Sequence, residues 1–181
     1  MIFQIFLDYL GKMGQLGNQM FQYAALRGIA NNRGLEFGIP DHDELIVDVL
    51  GNRLRIELYV PFELVHLKNR GVTSLEDPLQ ERMFEFDQEY FDRFPDGKSI
   101  AGYFQTEKYF SHIRDEILED FSFKSYIVNE CEEALELCSE SVALHIRRGD
   151  FLRNSGNHHN LSLDWYEKAL KEFDENRQVV I

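Results

Sequence analysis

The residues best suited to chemistry stand in one run, Val142-Ala143-Leu144-His145-Ile146-Arg147-Arg148-Gly149-Asp150, an apolar stretch that ends in two arginines, a glycine and an aspartate. Read as a strand, it sets Val142, Leu144 and Ile146 on one face and Ala143, His145 and Arg147 on the other, with Gly149 at the turn. The charge then falls at the strand's C-terminal edge, where open α/β sheets bind ligands. Two guanidiniums there have the fork geometry to grip a phosphate or pyrophosphate. The plainer alternative pairs Arg147 and Arg148 with Asp150 and with surface carboxylates.

A second stretch, Gly14-Gln15-Leu16-Gly17-Asn18-Gln19-Met20-Phe21-Gln22-Tyr23-Ala24, follows an apolar run from Met1 to Leu7 that suits a buried first strand. Gly11, Gly14 and Gly17 loosen the backbone before Asn18, a good N-cap, opens a helix with Phe21, Ala24, Ala25, Gly28 and Ile29 on one stripe. Such a turn lets backbone N–H groups approach an anion or a sugar. It is also what a bare strand-to-helix corner needs, and the glycine spacing is neither a Walker loop nor a dinucleotide fingerprint.

A third stretch lies between them, Gly102-Tyr103-Phe104-Gln105 with Lys108-Tyr109-Phe110. In this order, with His145-x-Arg147-Arg148-Gly149-Asp150, the three resemble the α-1,2-fucosyltransferase family, inverting enzymes that transfer L-fucose from GDP-fucose to a galactoside. The likeness runs from about Leu10 to Ile181. It implies metal-independent transfer to the galactoside's 2-hydroxyl, with no cofactor beyond the GDP-fucose donor. It implies that Arg147 and Arg148 stabilise the leaving diphosphate, that His145 orients the site or contacts the donor, and that Asp150 positions an arginine. Gly17, Asn18 and Gln19 are implied to line the donor cleft between two halves. Members continue past this length with a Ser/Cys-acidic segment and a Ser-x-x-Ser-Trp-Trp-like segment that help hold the donor. Neither is present, so the chain is expected to be a C-terminally truncated form with little activity of its own. The competing readings are a non-catalytic remnant or binding module, and another phosphate-binding nucleotide-sugar enzyme that uses the same arginine pair. On residue type alone Asp8, Glu107 and Asp150 are open as general base.

Composition narrows the partners. With 44% hydrophobic and 13% aromatic residues the chain can bury a core. A net charge of −13, from 19 basic and 32 acidic residues, repels nucleic acid and anionic membrane, so an anionic ligand needs a local basic cluster. The resemblance implies a nucleotide-sugar donor and a galactose-containing glycan acceptor as partners, and the charge argues against nucleic acid. No stretch reaches the roughly 20 apolar residues of a membrane span, and the N-terminus lacks a signal-peptide layout. A cytoplasmic location is expected, with membrane association in glycan assembly as the variant. Cys131 and Cys138 stand seven apart in a helical pattern, too distant in height for a disulfide, and read as small core residues. Asp41-His42-Asp43 reads as a solvated turn and His158-His159 as loop histidines, so no metal site is expected.

The elements that must position these residues alternate apolar runs with amphipathic helices. Leu35 to Ile39, Leu54 to Phe62 and Ile100 to Gln105 read as strands. Glu81 to Phe94 carries aromatics at period two, a weak hint of a sugar-binding patch. Tyr109 to Phe121 reads as one helix, as does Tyr126 to Cys138 with Ile127, Cys131, Ala134, Leu135 and Cys138 buried. After the arginine strand, Ser162 caps a helix with Leu161 and Tyr166 as staple and Trp165, Ala169, Leu170 and Phe173 as buried stripe. Gln178 to Ile181 then closes a parallel β-α-β unit. The expected fold class is α/β, a Rossmann-like N-terminal domain over residues 1–139 on the acceptor side. It is followed over residues 140–181 by the first β-α-β unit of a nucleotide-binding domain, in an incomplete GT-B-like architecture.

Overall fold

The computed structural model describes residues 4–74, 76–137, 140–156, 159–174 and 176–181. Along the chain run strand β1 (Gln4–Phe6), helix α1 (Leu16–Arg33), β2 (Glu36–Ile39), β3 (Ile46–Val47), β4 (Arg53–Leu54), β5 (Asn69–Arg70) and β6 (Leu79–Gln80). Helix α2 (Gln88–Arg93), β7 (Ile100–Ala101), two 3-10 turns at Glu107–Tyr109 and Ser111–Ile113, and α3 (Arg114–Asp120) follow. Then come α4 (Ser125–Leu137), β8 (Val142–Ala143), α5 (Asp150–Arg153), α6 (Leu163–Leu170) and β9 (Val179–Val180). The chain divides into two compact units, Met1–Ile46 with Arg53–Lys124, and Val47–Asn52 with Ser125–Ile181.

The protein is mixed α/β with small parallel sheets. In the first unit β1, β2 and β5 form a parallel sheet, Phe6 opposite Gly38 and Gly38 opposite Asn69, while β6 and β7 pair in parallel. A parallel bridge from Phe6 to Ser99, with the Phe6 N–H donating to the Lys98 carbonyl at 3.0 Å, sets β7 beside β1. The carboxyl ends of β1 and β7 therefore open on one side. Helix α1 covers this sheet with Tyr23, Ala25, Leu26 and Ile29, packed with Ile5, Leu7, Ile39, Ile100, Phe104 and Tyr109 in one cluster. Burying each Leu, Ile or Phe of such a cluster contributes about 1.5–3 kcal/mol by transfer. Behind it Asp120, fully buried, accepts from Tyr23 Oη (2.9 Å), from Arg27, and from the backbone N–H of His66 (2.7 Å), with His66 Nδ1 3.1 Å away. Four polar groups meeting one carboxylate is how a buried charge is made tolerable.

In the second unit β8 and β9 pair in parallel, Val142 opposite Val179 and Ala143 opposite Val180, as expected for a β-α-β unit. Among its described residues only Tyr166 is buried, and Val179, Val180 and Ile181 are exposed. The apolar investment of the fold thus lies in the first unit.

Several elements differ from their sequence reading, for identifiable reasons. Helix α1 starts at Leu16 with Gln15 at the cap position, because the Leu16 N–H is met by the Glu57 carboxylate (2.8 Å), a cap supplied from far along the chain. Asn18 therefore sits inside the first turn. The aromatic run before Phe94 is helical from Gln88, since the Asp87 side chain caps it by accepting the Tyr90 N–H at 3.0 Å. The stretch from Tyr109 is broken into 3-10 turns by Phe110, whose φ of −138° and ψ of 4° cannot continue a helix. Past Leu54 the expected strand gives way to a loop. On α4, Ile127 is half-buried, but Cys131 and Ala134 are exposed and are not core residues. The side chain of Leu135, with Cys138, lies outside the described residues. On α6 Tyr166 turns inward at the staple position, leaving Trp165 and Phe173 half exposed.

Candidate sugar-nucleotide site

Two of the three sequence motifs meet at the carboxyl ends of β1 and β7. Gln105 Nε2 donates to Asn18 Oδ1 at 2.7 Å, and Gln22 Nε2 donates to the carbonyls of Gly102 (2.9 Å) and Met13 (3.1 Å). Gln19 is wholly buried and its carboxamide is spent on backbone, donating to Arg55 O (2.8 Å) and accepting from the Glu57 N–H (2.8 Å). It therefore acts as a clamp between the helix start and the 55–57 loop. Gly17 is exposed, with open space where a Cβ would stand, and Asn18 is half-buried beside it. Gly17 and the Asn18–Gln105 pair are the solvent-facing parts of this corner.

The 102–105 loop is wound tightly. Gly102 has φ +156°, and a Cβ there would stand 2.4 Å from Glu81 Cβ. Phe104, wholly buried, has φ +50°. The Glu81 carboxylate accepts the N–H groups of Tyr103 (2.8 Å) and Phe104 (3.1 Å). Glu57 and Glu81 are the residues the sequence reading missed, and Gln22, quoted in its motif, was given no role. For Glu81 the one signal was Gly102, since a glycine next to aromatics marks a close approach.

Of the residues open as general base, Asp8 lies just past β1. Its carboxylate accepts the Ser74 N–H at 3.0 Å, and burial pushes its pKa up, opposed by the hydrogen bonds from Ser74 and Ser99 and by the charge of Lys12. Glu107 stands exposed in the first 3-10 turn. Asp41 pairs with Arg70 at 2.7 Å. Among the described residues no group of three His, Cys, Asp or Glu side chains is placed to hold a metal ion. His158 lies outside the described residues.

In the second unit the expected alternation is visible. Val142, Leu144 and Ile146 are half-buried, whereas Ala143, His145 and Arg147 are exposed, as is Arg148. The strand ladder ends with the Leu144 N–H donating to Val180 O at 2.7 Å, so His145, Arg147 and Arg148 stand on the segment just beyond the strand. Gly149, φ +64°, makes the turn into α5, and the Arg147 guanidinium lies 4.5 Å over the Phe151 ring. Asn160 Nδ2 ties the polar loop back by donating to Phe151 O at 3.1 Å. The Asp150 side chain lies outside the described residues.

The profile of the family described as Glycosyl transferase family 11 matches residues 9–181. The chain belongs to glycosyl transferase family 11. The chain is similar to the O-antigen biosynthesis glycosyltransferase WbnK of Escherichia coli, 28% identical, the match covering 93% of this chain and 69% of that protein. Galactoside alpha-(1,2)-fucosyltransferase 2 of Oryctolagus cuniculus is 28% identical over 80% of this chain and 40% of its own length. Galactoside 2-alpha-L-fucosyltransferase SEC1 of Bos taurus is 28% identical over 77% of this chain and 38% of its own. The chain thus spans about 40% of the length of these two mammalian relatives. No solved structure matches it. Among the described residues no helix is long and apolar enough to cross a membrane.

Proposed function

We propose that this family 11 chain carries the machinery for inverting transfer of L-fucose from GDP-fucose to the 2-hydroxyl of a galactoside, within a GT-B-like arrangement. Residues 1–139 serve the acceptor side, and residues 140–181 begin the donor-binding part. The observation that carries this reading is the family match over residues 9–181, which takes in all three motifs, with the exposed Arg147 and Arg148 just past a parallel strand. Breaking the fucosyl C–O bond leaves negative charge on the diphosphate, and a guanidinium pair can stabilise it. Arg147 and Arg148 take that role, with His145 beside them as a donor contact and Asp150 as the partner that sets an arginine. Gly17 and Asn18 meet the donor, and Gln19 holds them in place. No metal takes part in the step. Asp8, whose pKa burial raises, is the best-suited general base of the three residues open to that role.

The open second unit favours the binding-module alternative for the chain by itself. Arg147 and Arg148 are exposed, and a solvent-screened contact of this kind is worth on the order of 1 kcal/mol. Calorimetric titration with GDP-fucose, alongside a transfer assay on lactose, tests the reading. Weak, saturable GDP-fucose binding that Arg147→Ala removes is expected, with slow transfer at most. Binding that is indifferent to Arg147→Ala would refute the donor role, and robust turnover would refute the binding-module alternative.

A further inference from the structure

We propose that Glu81 is the positioning residue of the 102–105 loop, fixing the one conformation in which the Gln105 carboxamide reaches Asn18. The proposal rests on the reading that this corner of the first unit meets substrate. Glu81 is itself anchored, because its N–H continues the β6–β7 ladder to Ala101 O at 2.7 Å. From there its carboxylate reaches across to the successive N–H groups of Tyr103 and Phe104. Two neighbouring amides converging on one acceptor form an anion nest, and here the anion is the protein's own.

The nest is what makes the loop's backbone tenable. A buried phenylalanine at φ +50° persists only where its surroundings over-determine it. Glu81 supplies the hold on the N–H side, while Gln22 supplies it on the carbonyl side through Gly102 O. Gly102 is the condition for both, since any side chain there would displace Glu81. The Thr106 N–H then closes onto Phe104 O at 2.7 Å, which leaves Gln105 pointing out, its amide on Asn18. Without the carboxylate, two inward amides lose their acceptor and the loop relaxes. Gln105 then leaves Asn18. Glu81 touches no reacting atom in this account and acts only through Gln105 and Asn18.

The test compares the 181-residue chain with its Glu81→Ala and Glu81→Gln variants, using the side-chain amide NMR signals of Gln105 and Asn18 together with transfer kinetics. Glu81→Ala should shift both amide pairs, and excess acetate, whose methyl replaces the missing Cγ, should return them while leaving the wild-type spectrum unchanged. Glu81→Gln, which keeps one acceptor oxygen, should fall between and guards against an alanine variant that fails to fold. Where transfer is measurable, KM for GDP-fucose at saturating lactose should rise about tenfold in Glu81→Ala with kcat little changed. Unmoved amide signals, or a shift that acetate cannot reverse in a folded variant, would overturn the proposal. Failure of the wild-type chain to bind GDP-fucose would count against the functional reading alone, because the amide signals still decide the role of Glu81.

Discussion

The side chain of Gln105 donates to that of Asn18 across 2.7 Å, joining two motifs that stand 87 positions apart in the sequence. The contact sits where the strand ends of β1 and β7 open to the same side, the position at which parallel sheets hold ligands. The two residues should couple in a double-mutant cycle of Asn18→Ala and Gln105→Ala. A coupling of roughly 0.5–1 kcal/mol by denaturant unfolding is expected for such a solvent-accessible bond. Strict additivity would show that the two side chains do not hold each other.

The buried Asp120 should be the most sensitive polar position in the first unit. Asp120→Ala leaves the buried Arg27 with the half-exposed Glu116 as its remaining carboxylate partner and Tyr23 without its acceptor. Removing one partner of a buried pair costs about 3–5 kcal/mol. Urea unfolding should show that loss for Asp120→Ala, and a change near zero would mean that solvent reaches the network.

Alkaline pH should unfold the protein through its buried tyrosines. Burial raises the pKa of Tyr23, assisted by the Asp120 carboxylate, and burial raises that of Tyr90, assisted by Tyr109. A folded-state pKa above the ordinary tyrosine value of 10.0 means that the unfolded chain releases its proton first. The stability from these groups is therefore complete below pH about 10 and is lost as the pH rises above it. Two such tyrosines give a slope of up to about 3 kcal/mol per pH unit. Unfolding curves taken between neutral pH and strong alkali should be level first and then fall, and the fall should soften in Tyr23→Phe.

Much of the arginine segment was legible in the sequence. Strict alternation from Val142 to Arg147 is a period-two signal, and the half-buried and exposed residues follow it, although the ladder itself covers only Val142–Ala143 and ends with Leu144 N–H. Strands β5 and β6 were not legible, because two residues carry no period; parallel partners on neighbouring strands define them. The helix start was misplaced for a related reason. Asn18 has the right chemistry for a cap, but Glu57 reaches the Leu16 N–H from another loop, and no local pattern announces a cap from so far away. The same holds for Glu81, which looks like one more surface acid until the fold brings it under Tyr103 and Phe104.

Gly149 should be intolerant of side chains although nothing crowds it. Its φ of +64° lies in the left-handed region and the space around it is open, so the penalty comes from the backbone alone. Gly149→Ala should cost about 1–2 kcal/mol locally and weaken GDP binding by turning Arg147 and Arg148 away. Gly149→Asn should be milder, since asparagine visits this region more readily. Equal behaviour of the two variants in a GDP titration would show that the turn does not set the arginines.

The arginine pair itself is tested most directly by following the Nε–Hε NMR signals of Arg147 and Arg148 while GDP-fucose, GDP and free fucose are added in turn. Both signals should move saturably with GDP-fucose and with GDP. They should stay still with fucose, and the movement should weaken as salt is raised, because exposed contacts are screened. If GDP-fucose shifts other residues while Arg147 and Arg148 stay where they are, the diphosphate is held elsewhere and the donor role assigned to these arginines is wrong.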